Sequence, residues 1–196
     1  MFFYYGTMGS SKSLRLLTMA YDFEEKGIQI LTMKPSTDTR DGEGLIVSRA
    51  GLSRHCVTVD KEDNIFDAVA SYNDYLISQG DSLKWVLVDE CQFLTEKQVD
   101  ELSDVVDKLN INVICYGLRT DFQSKLFEGS KRLFEIADDI EEIKSTCICG
   151  ECKTSINARF DDDGKIVTHG EQVEIGGNER YRALCRKCWK DMIMDK

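Results

Sequence analysis

The sequence predicts an α/β fold, a parallel sheet flanked by helices, followed by a small cysteine-bearing module. Three observations carry this. Strand-like apolar runs alternate with amphipathic helical stretches through about residue 140, the order that yields a parallel sheet with crossover helices. Trp85-Val86-Leu87-Val88 is continuously apolar, as in a strand buried on both faces. Five of the eight cysteines fall in two tight clusters after residue 146.

Each element follows from its pattern. Residues 2–5, Phe-Phe-Tyr-Tyr, read as a short buried strand. Residues 13–26 read as a helix, with Leu14, Leu16, Leu17, Met19, Ala20 and Phe23 on or near one face and Gly27 as its C-cap. A second strand covers 28–33, and Pro35, the only proline, ends it. Residues 36–54 show no period and read as a long mobile loop. Residues 55–59 suggest a third strand. Residues 65–77 have helical spacing through Phe66, Val69, Ala70, Tyr72, Tyr75 and Leu76. Residues 95–109 form the strongest amphipathic stretch, striped by Val99, Leu102, Val105, Val106 and Leu109. Thr95 is its N-cap candidate, and Gln98 suggests a capping box. Residues 113–116 are a further strand, stopped by Gly117.

The chain has 196 residues and a formal charge of −10. That charge disfavours nonspecific binding to nucleic acid or anionic membrane. No apolar run approaches the roughly 18 residues of a membrane span, and no signal peptide is evident, so a cytoplasmic protein is expected. Residues 1–143 carry 15 Lys/Arg against 26 Asp/Glu, whereas 144–196 carry 10 against 9. This shift sets an expected boundary between a domain at 1–143 and a second at 144–196.

The stretch "GTMGSSKS", residues 6–13, approximates the phosphate-loop pattern G-x-x-x-x-G-K-[ST]. Gly6, Lys12 and Ser13 fit, and Ser11 stands where the second glycine belongs. The loop follows a strand and opens a helix, so backbone N–H groups and the helix dipole can face phosphate. Lys12 can neutralise phosphate oxygens, and the Ser13 hydroxyl can ligate Mg²⁺. Serine in a left-handed conformation costs roughly 1–2 kcal/mol. The second element is Val86-Leu87-Val88-Asp89-Glu90, a buried strand tipped by acids. Asp89 is placed to hold Mg²⁺, and Glu90 to take a proton from an attacking hydroxyl or water.

Cys56, Cys91 and Cys115 are isolated and read as small buried hydrophobes. Cys149 and Cys152, or Cys147 and Cys149, combine with Cys185 and Cys188 to offer four thiolates for a closed, structural Zn²⁺ site. Spacing alone leaves both upstream pairs open. His55 and His169 carry no constellation and read as surface or loop residues.

The ordered set is "GTMGSSKS", "TDTR" at 37–40, "VLVDECQF" at 86–93, "YGLRTDFQSKLF" at 116–127, "CICG" at 147–150 and "EQVEIGGNERYRALCRKCW" at 171–189. It resembles the zinc-containing, RecA-like thymidine kinase family, especially its bacterial members, over nearly the whole chain. The resemblance implies a RecA-like P-loop domain with a zinc-ribbon lid. It also implies ATP- and Mg²⁺-dependent phosphorylation of the 5′-hydroxyl of thymidine or deoxyuridine.

The site residues carry over from matching motifs. Gly6, Thr7, Met8, Gly9, Ser10, Ser11, Lys12 and Ser13 would cradle ATP, with Asp38, Arg40, Asp89 and Gln92 in the same site. Glu90 would be the general base. Phe122 would stack on the base. Gln172, Val173, Glu174, Ile175, Gly176 and Tyr181 would close over the nucleoside. The "CICG" form selects Cys147, Cys149, Cys185 and Cys188 for zinc. A homotetramer and feedback inhibition by thymidine triphosphate are implied by the resemblance alone. The competing classes are a zinc-ribbon RecA-like ATPase acting on DNA, and a nucleotide-binding module without catalysis, the latter motivated by Ser11.

Overall fold

A computed structural model describes residues 1–38, 42, 44–173 and 180–194. The first part of the chain runs β1 (Phe2–Tyr5), α1 (Lys12–Glu25), β2 (Ile30–Pro35), β3 (Leu45–Val47), β4 (Ser53–His55), β5 (Val57–Val59), α2 (Ile65–Ser78), β6 (Trp85–Val88), α3 (Glu96–Leu109), β7 (Asn112–Gly117), α4 (Glu128–Ile136) and β8 (Asp139–Glu142). Six of these strands form one sheet in the order β5-β2-β6-β7-β1-β8, with every pairing parallel.

Both faces of the sheet are covered, which explains the unbroken apolar runs. Val86 and Val88 point into a core with Val69 of α2, Val99, Leu102 and Val105 of α3, and Leu133 of α4. Leu87, between them, points the other way to Leu16, Leu17 and Ala20 of α1. Loops at the carboxyl ends of β1 and β6 therefore emerge on one edge, where open α/β sheets bind ligands.

Thr95 caps α3 and the capping box is complete: its hydroxyl accepts the Gln98 N–H at 3.2 Å, while Gln98 Oε1 accepts the Thr95 N–H at 3.1 Å. The stretch 36–54 differs from a structureless loop. β3 and β4 form an antiparallel hairpin inside it, because Ile46 is buried against α1. Residues 55–59 divide at Cys56, whose N–H bonds to the Gly44 carbonyl at 2.9 Å, so β4 turns into the hairpin and β5 joins the main sheet. Pro35 is the last residue of β2 and pairs with Val59. Tyr75 lies outside the α2 stripe and is exposed.

After β8 the chain forms β9 (Ile156–Phe160), β10 (Ile166–Val167), β11 (Tyr181–Leu184) and α5 (Arg186–Met194). The three strands make a separate antiparallel sheet in the order β10-β9-β11. Its small core joins Ala158, Phe160, Ile166 and Leu184 to Cys147 and Cys185. Among the described residues, no helix is long and apolar enough to cross a membrane.

Candidate active site

The 6–13 loop begins where β1 ends. Gly6 is required by close approach: a Cβ there would lie 2.4 Å from Ser10 Oγ and 2.5 Å from the Ile143 carbonyl oxygen. Ser11 adopts φ 64°, ψ 27° at the N-cap of α1, and its side chain makes no capping bond. The left-handed geometry expected of the missing glycine is therefore retained, with serine bearing its cost. Lys12 is buried, and its ammonium donates to the Thr7 carbonyl at 2.9 Å.

Across the sheet edge, Asp89 follows β6 and is 4% exposed. The Ser13 hydroxyl hydrogen-bonds to its carboxylate. Burial first, and the Glu90 charge second, push the Asp89 carboxyl up to about 7; the Ser13 and Glu90 N–H hydrogen bonds and the Lys12 charge act in the opposite direction. Glu90 sits at φ 50°, a second non-glycine left-handed residue. Gln92 orients it: Nε2 donates to Glu90 Oε2 at 2.5 Å, and Oε1 accepts the Leu118 N–H at 2.9 Å. Gly117 leaves room for this bridge, since a Cβ there would lie 2.7 Å from Gln92 Oε1. The resulting cavity, about 450 Å³, is lined by Met8, Gly9, Ser11, Lys12, Ser13 and Glu90, together with Ser48 and Arg49 from the β3–β4 hairpin.

Asp38 lies 3.8 Å from the ammonium of Lys34 on β2, and both are buried. Lys34 also donates to the carbonyls of Leu45 at 2.8 Å and Gly42 at 3.2 Å. Phe122 is buried and one face of its ring is covered by the Arg159 guanidinium, 3.6 Å from the centroid. Gln172 Nε2 donates to Asp121 Oδ2 at 3.0 Å beside it. Val173 is exposed, and Tyr181 is half-buried on β11 opposite Arg159. Arg40, Glu174, Ile175 and Gly176 lie outside the described residues.

Cys147, Cys149, Cys185 and Cys188 bring their Sγ atoms within 4.8 Å of one another, and Cys152 falls outside this group. Sulfurs on a tetrahedral Zn²⁺, with bonds near 2.3 Å, are about 3.8 Å apart, so the group fits that ion. The Cys185 N–H bonds to Cys147 Sγ at 3.2 Å, and the Cys188 N–H to Cys185 Sγ at 3.4 Å. The latter bond leads in holding the Cys185 thiol below its ordinary value. Cys91 and Cys115 are wholly buried, and burial pushes the Cys91 thiol well up, in keeping with a core role; Cys56 is half-buried.

Sequence reasoning missed the polar contacts that join the cysteine module to the 6–13 loop. Asn157 Oδ1 accepts the Met8 N–H at 2.8 Å, and its Nδ2 donates to the Thr120 carbonyl at 3.1 Å. The hydroxyls of Thr7 and Thr154 meet at 2.7 Å. Thr154 and Asn157 sit in a stretch with no motif, and only the fold brings them to the loop. Lys34, Ser48, Arg49 and Arg159 were missed likewise.

A doubly covered parallel sheet, with a lysine–serine loop facing an acid-tipped strand and a four-cysteine group beside a second, smaller sheet, defines an α/β protein. A family profile described as Thymidine kinase matches residues 1–189. The chain belongs to the thymidine kinase family. Similar curated proteins carry the name Thymidine kinase. That of Shewanella oneidensis is 43% identical over 195 residues, covering 100% of this chain and 98% of the relative. Those of Zymomonas mobilis and Mannheimia succiniciproducens are each 46% identical, over 187 and 186 residues. They cover 95% of this chain in both cases, and 94% and 92% of the relatives.

Proposed function

We propose that the protein transfers the γ-phosphate of ATP to the 5′-hydroxyl of thymidine or deoxyuridine, supplying the monophosphate in pyrimidine salvage. The observation that carries this is the convergence of Lys12, Ser13, Asp89 and Glu90 on one cavity edge. In this reading Glu90 takes the hydroxyl proton as the 5′ oxygen attacks the γ-phosphorus. The bond to the β–γ bridging oxygen breaks, and ADP leaves with that oxygen. Gln92 is a positioning residue for the base. Within the 6–13 loop the N–H groups of Gly6, Met8 and Ser10 are committed to the Gly117 carbonyl, Asn157 Oδ1 and the Thr7 carbonyl; those at the start of α1 would face the phosphates.

A serine hydroxyl bonded to a buried carboxylate is an oxygen donor set that suits Mg²⁺. Ser13 and Asp89 would hold the ion, which when bound supplies charge neutralisation on the phosphates. Cys147, Cys149, Cys185 and Cys188 would hold a structural Zn²⁺. The division at 143/144 then separates a catalytic domain from a lid, with Phe122, Gln172 and Tyr181 on the nucleoside side. Cytoplasmic location, tetrameric assembly and inhibition by thymidine triphosphate belong to the same reading. Incubation with thymidine and Mg-ATP is expected to yield thymidine monophosphate and ADP in equal amounts. ADP release that does not depend on any nucleoside would overturn it, and stimulation by DNA would favour the ATPase class.

A further inference from the structure

We infer that Arg49, at the tip of the β3–β4 hairpin, is a further cation for the transferring phosphoryl group; this rests on the kinase reading above. Arg49 lines the same cavity as Lys12, Ser13 and Glu90. A Cβ built on Gly9 would lie 3.6 Å from Arg49 Nη1, which puts the guanidinium against the 6–13 loop. Among the described residues no carboxylate or carbonyl takes its N–H groups, and the side chain is exposed. A guanidinium held over a phosphate loop without a partner of its own is suited to bidentate capture of phosphate oxygens.

The hairpin is built to hold that position. Ile46 is buried in the α1 core, and the Tyr21 hydroxyl donates to the Ser53 carbonyl at 3.2 Å. Arg54 pairs with Glu24 at 2.7 Å and donates to Thr32 Oγ1 at 3.3 Å. At the tip, the Ser48 N–H bonds to the Leu52 carbonyl at 2.8 Å, the Gly51 N–H to the Ser48 carbonyl at 3.0 Å, and Ser48 Oγ accepts the Leu52 N–H at 3.1 Å. The turn that carries Arg49 is thus closed on itself while its base is fixed to α1 and β2. A donor already in place where charge develops needs no reorganisation during transfer.

The experiment compares wild type with Arg49→Gln and Arg49→Lys by steady-state phosphorylation of thymidine, by titration with MgATP and with MgADP, and by thermal melting. Arg49→Gln is expected to melt as wild type, to lose about 10²–10³-fold in kcat, and to leave the KM for thymidine within about threefold. Its preference for MgATP over MgADP is expected to shrink by about tenfold, with Arg49→Lys intermediate. An Arg49→Gln protein with wild-type kcat and an unchanged ATP-over-ADP preference would overturn the inference. Should wild type fail to phosphorylate any nucleoside, the kinase reading falls. The ATP-over-ADP comparison then still decides whether Arg49 meets the terminal phosphate.

Discussion

The Oδ1 of Asn157, in the cysteine-bearing module, accepts the backbone N–H of Met8, in the 6–13 loop, at 2.8 Å. The two residues are 149 positions apart. With the Thr7–Thr154 hydroxyl pair, this ties the loop to a second sheet. Asn157→Ala would leave the Met8 N–H and the Thr120 carbonyl without their partner at a buried position. It is expected to destabilise the protein by about 1–3 kcal/mol and to raise the KM for ATP more than that for thymidine. Denaturant melts and ATP-dependent kinetics check both parts; equal effects on the two substrates would speak against a loop-specific role.

The same tie would couple a metal on the four cysteines to the proposed nucleotide site. Protein purified without chelator is expected to hold about one Zn²⁺ per chain, the stoichiometry of a single four-thiolate site. Cys149→Ser should lower metal content and weaken ATP binding together, because Thr154 and Asn157 follow directly on the cysteine turn. Metal analysis beside nucleotide titration tests this. ATP binding that survives complete zinc loss would disconnect the modules.

Glu90→Gln keeps the side chain's shape and can still meet Gln92, but it cannot accept a proton. The expected outcome is a loss of about 10²–10⁴-fold in kcat with folding and ATP binding retained. Rapid-quench or steady-state turnover decides it, and a fully active variant would remove Glu90 as the base.

The Asp89 carboxyl is pushed up to about 7, chiefly by burial, from an ordinary 3.8. A carboxyl that binds its proton more tightly when folded adds stability that is complete below the unfolded value. That contribution is lost as pH rises through the folded one. The metal-free protein is therefore expected to lose stability between about pH 4 and pH 7, and Asp89→Asn to flatten that slope. Melts across this pH range are the measurement. Mg-nucleotide binding below pH 7 should also release a proton, which calorimetry in buffers of different ionisation enthalpy would register.

Ser11 at φ 64° predicts that Ser11→Gly relieves strain. Relief of that strain, less the extra backbone entropy glycine loses on folding, is expected to leave a gain of up to about 1 kcal/mol in stability, with ATP bound as well as by wild type or better. A large loss of ATP affinity would assign the hydroxyl its own role.

Much of the fold was legible in local pattern. Strands Phe2–Tyr5 and Trp85–Val88 could be read to the residue because burial on both faces leaves no polar interruption. The α3 start was legible because a capping box is a local device. The β3–β4 hairpin was not, since Ile46 is nearly alone in showing its burial and the surrounding residues are polar or small. β8 was missed because Asp-Ile-Glu-Glu is an exposed sheet edge with a charged sequence. In the site, Gly6, Lys12, Ser13, Asp89 and Glu90 announce themselves by spacing. Asn157 and Thr154 do not, because their partners are distant in sequence; Lys34 and Arg49 do not, because their surroundings are set by turns without a motif.

Chain synthesis is vectorial, and it gives the Asn157–Met8 contact an order in time. Met8 leaves the ribosome well before Asn157, so a nascent chain that already holds all six strands of the main sheet still lacks the two side-chain anchors of its 6–13 loop. Contacts of such long sequence separation form late, after the entropy of closing the intervening chain has been overcome. Completion of the loop is thereby deferred until residues 154–157 have left the ribosome.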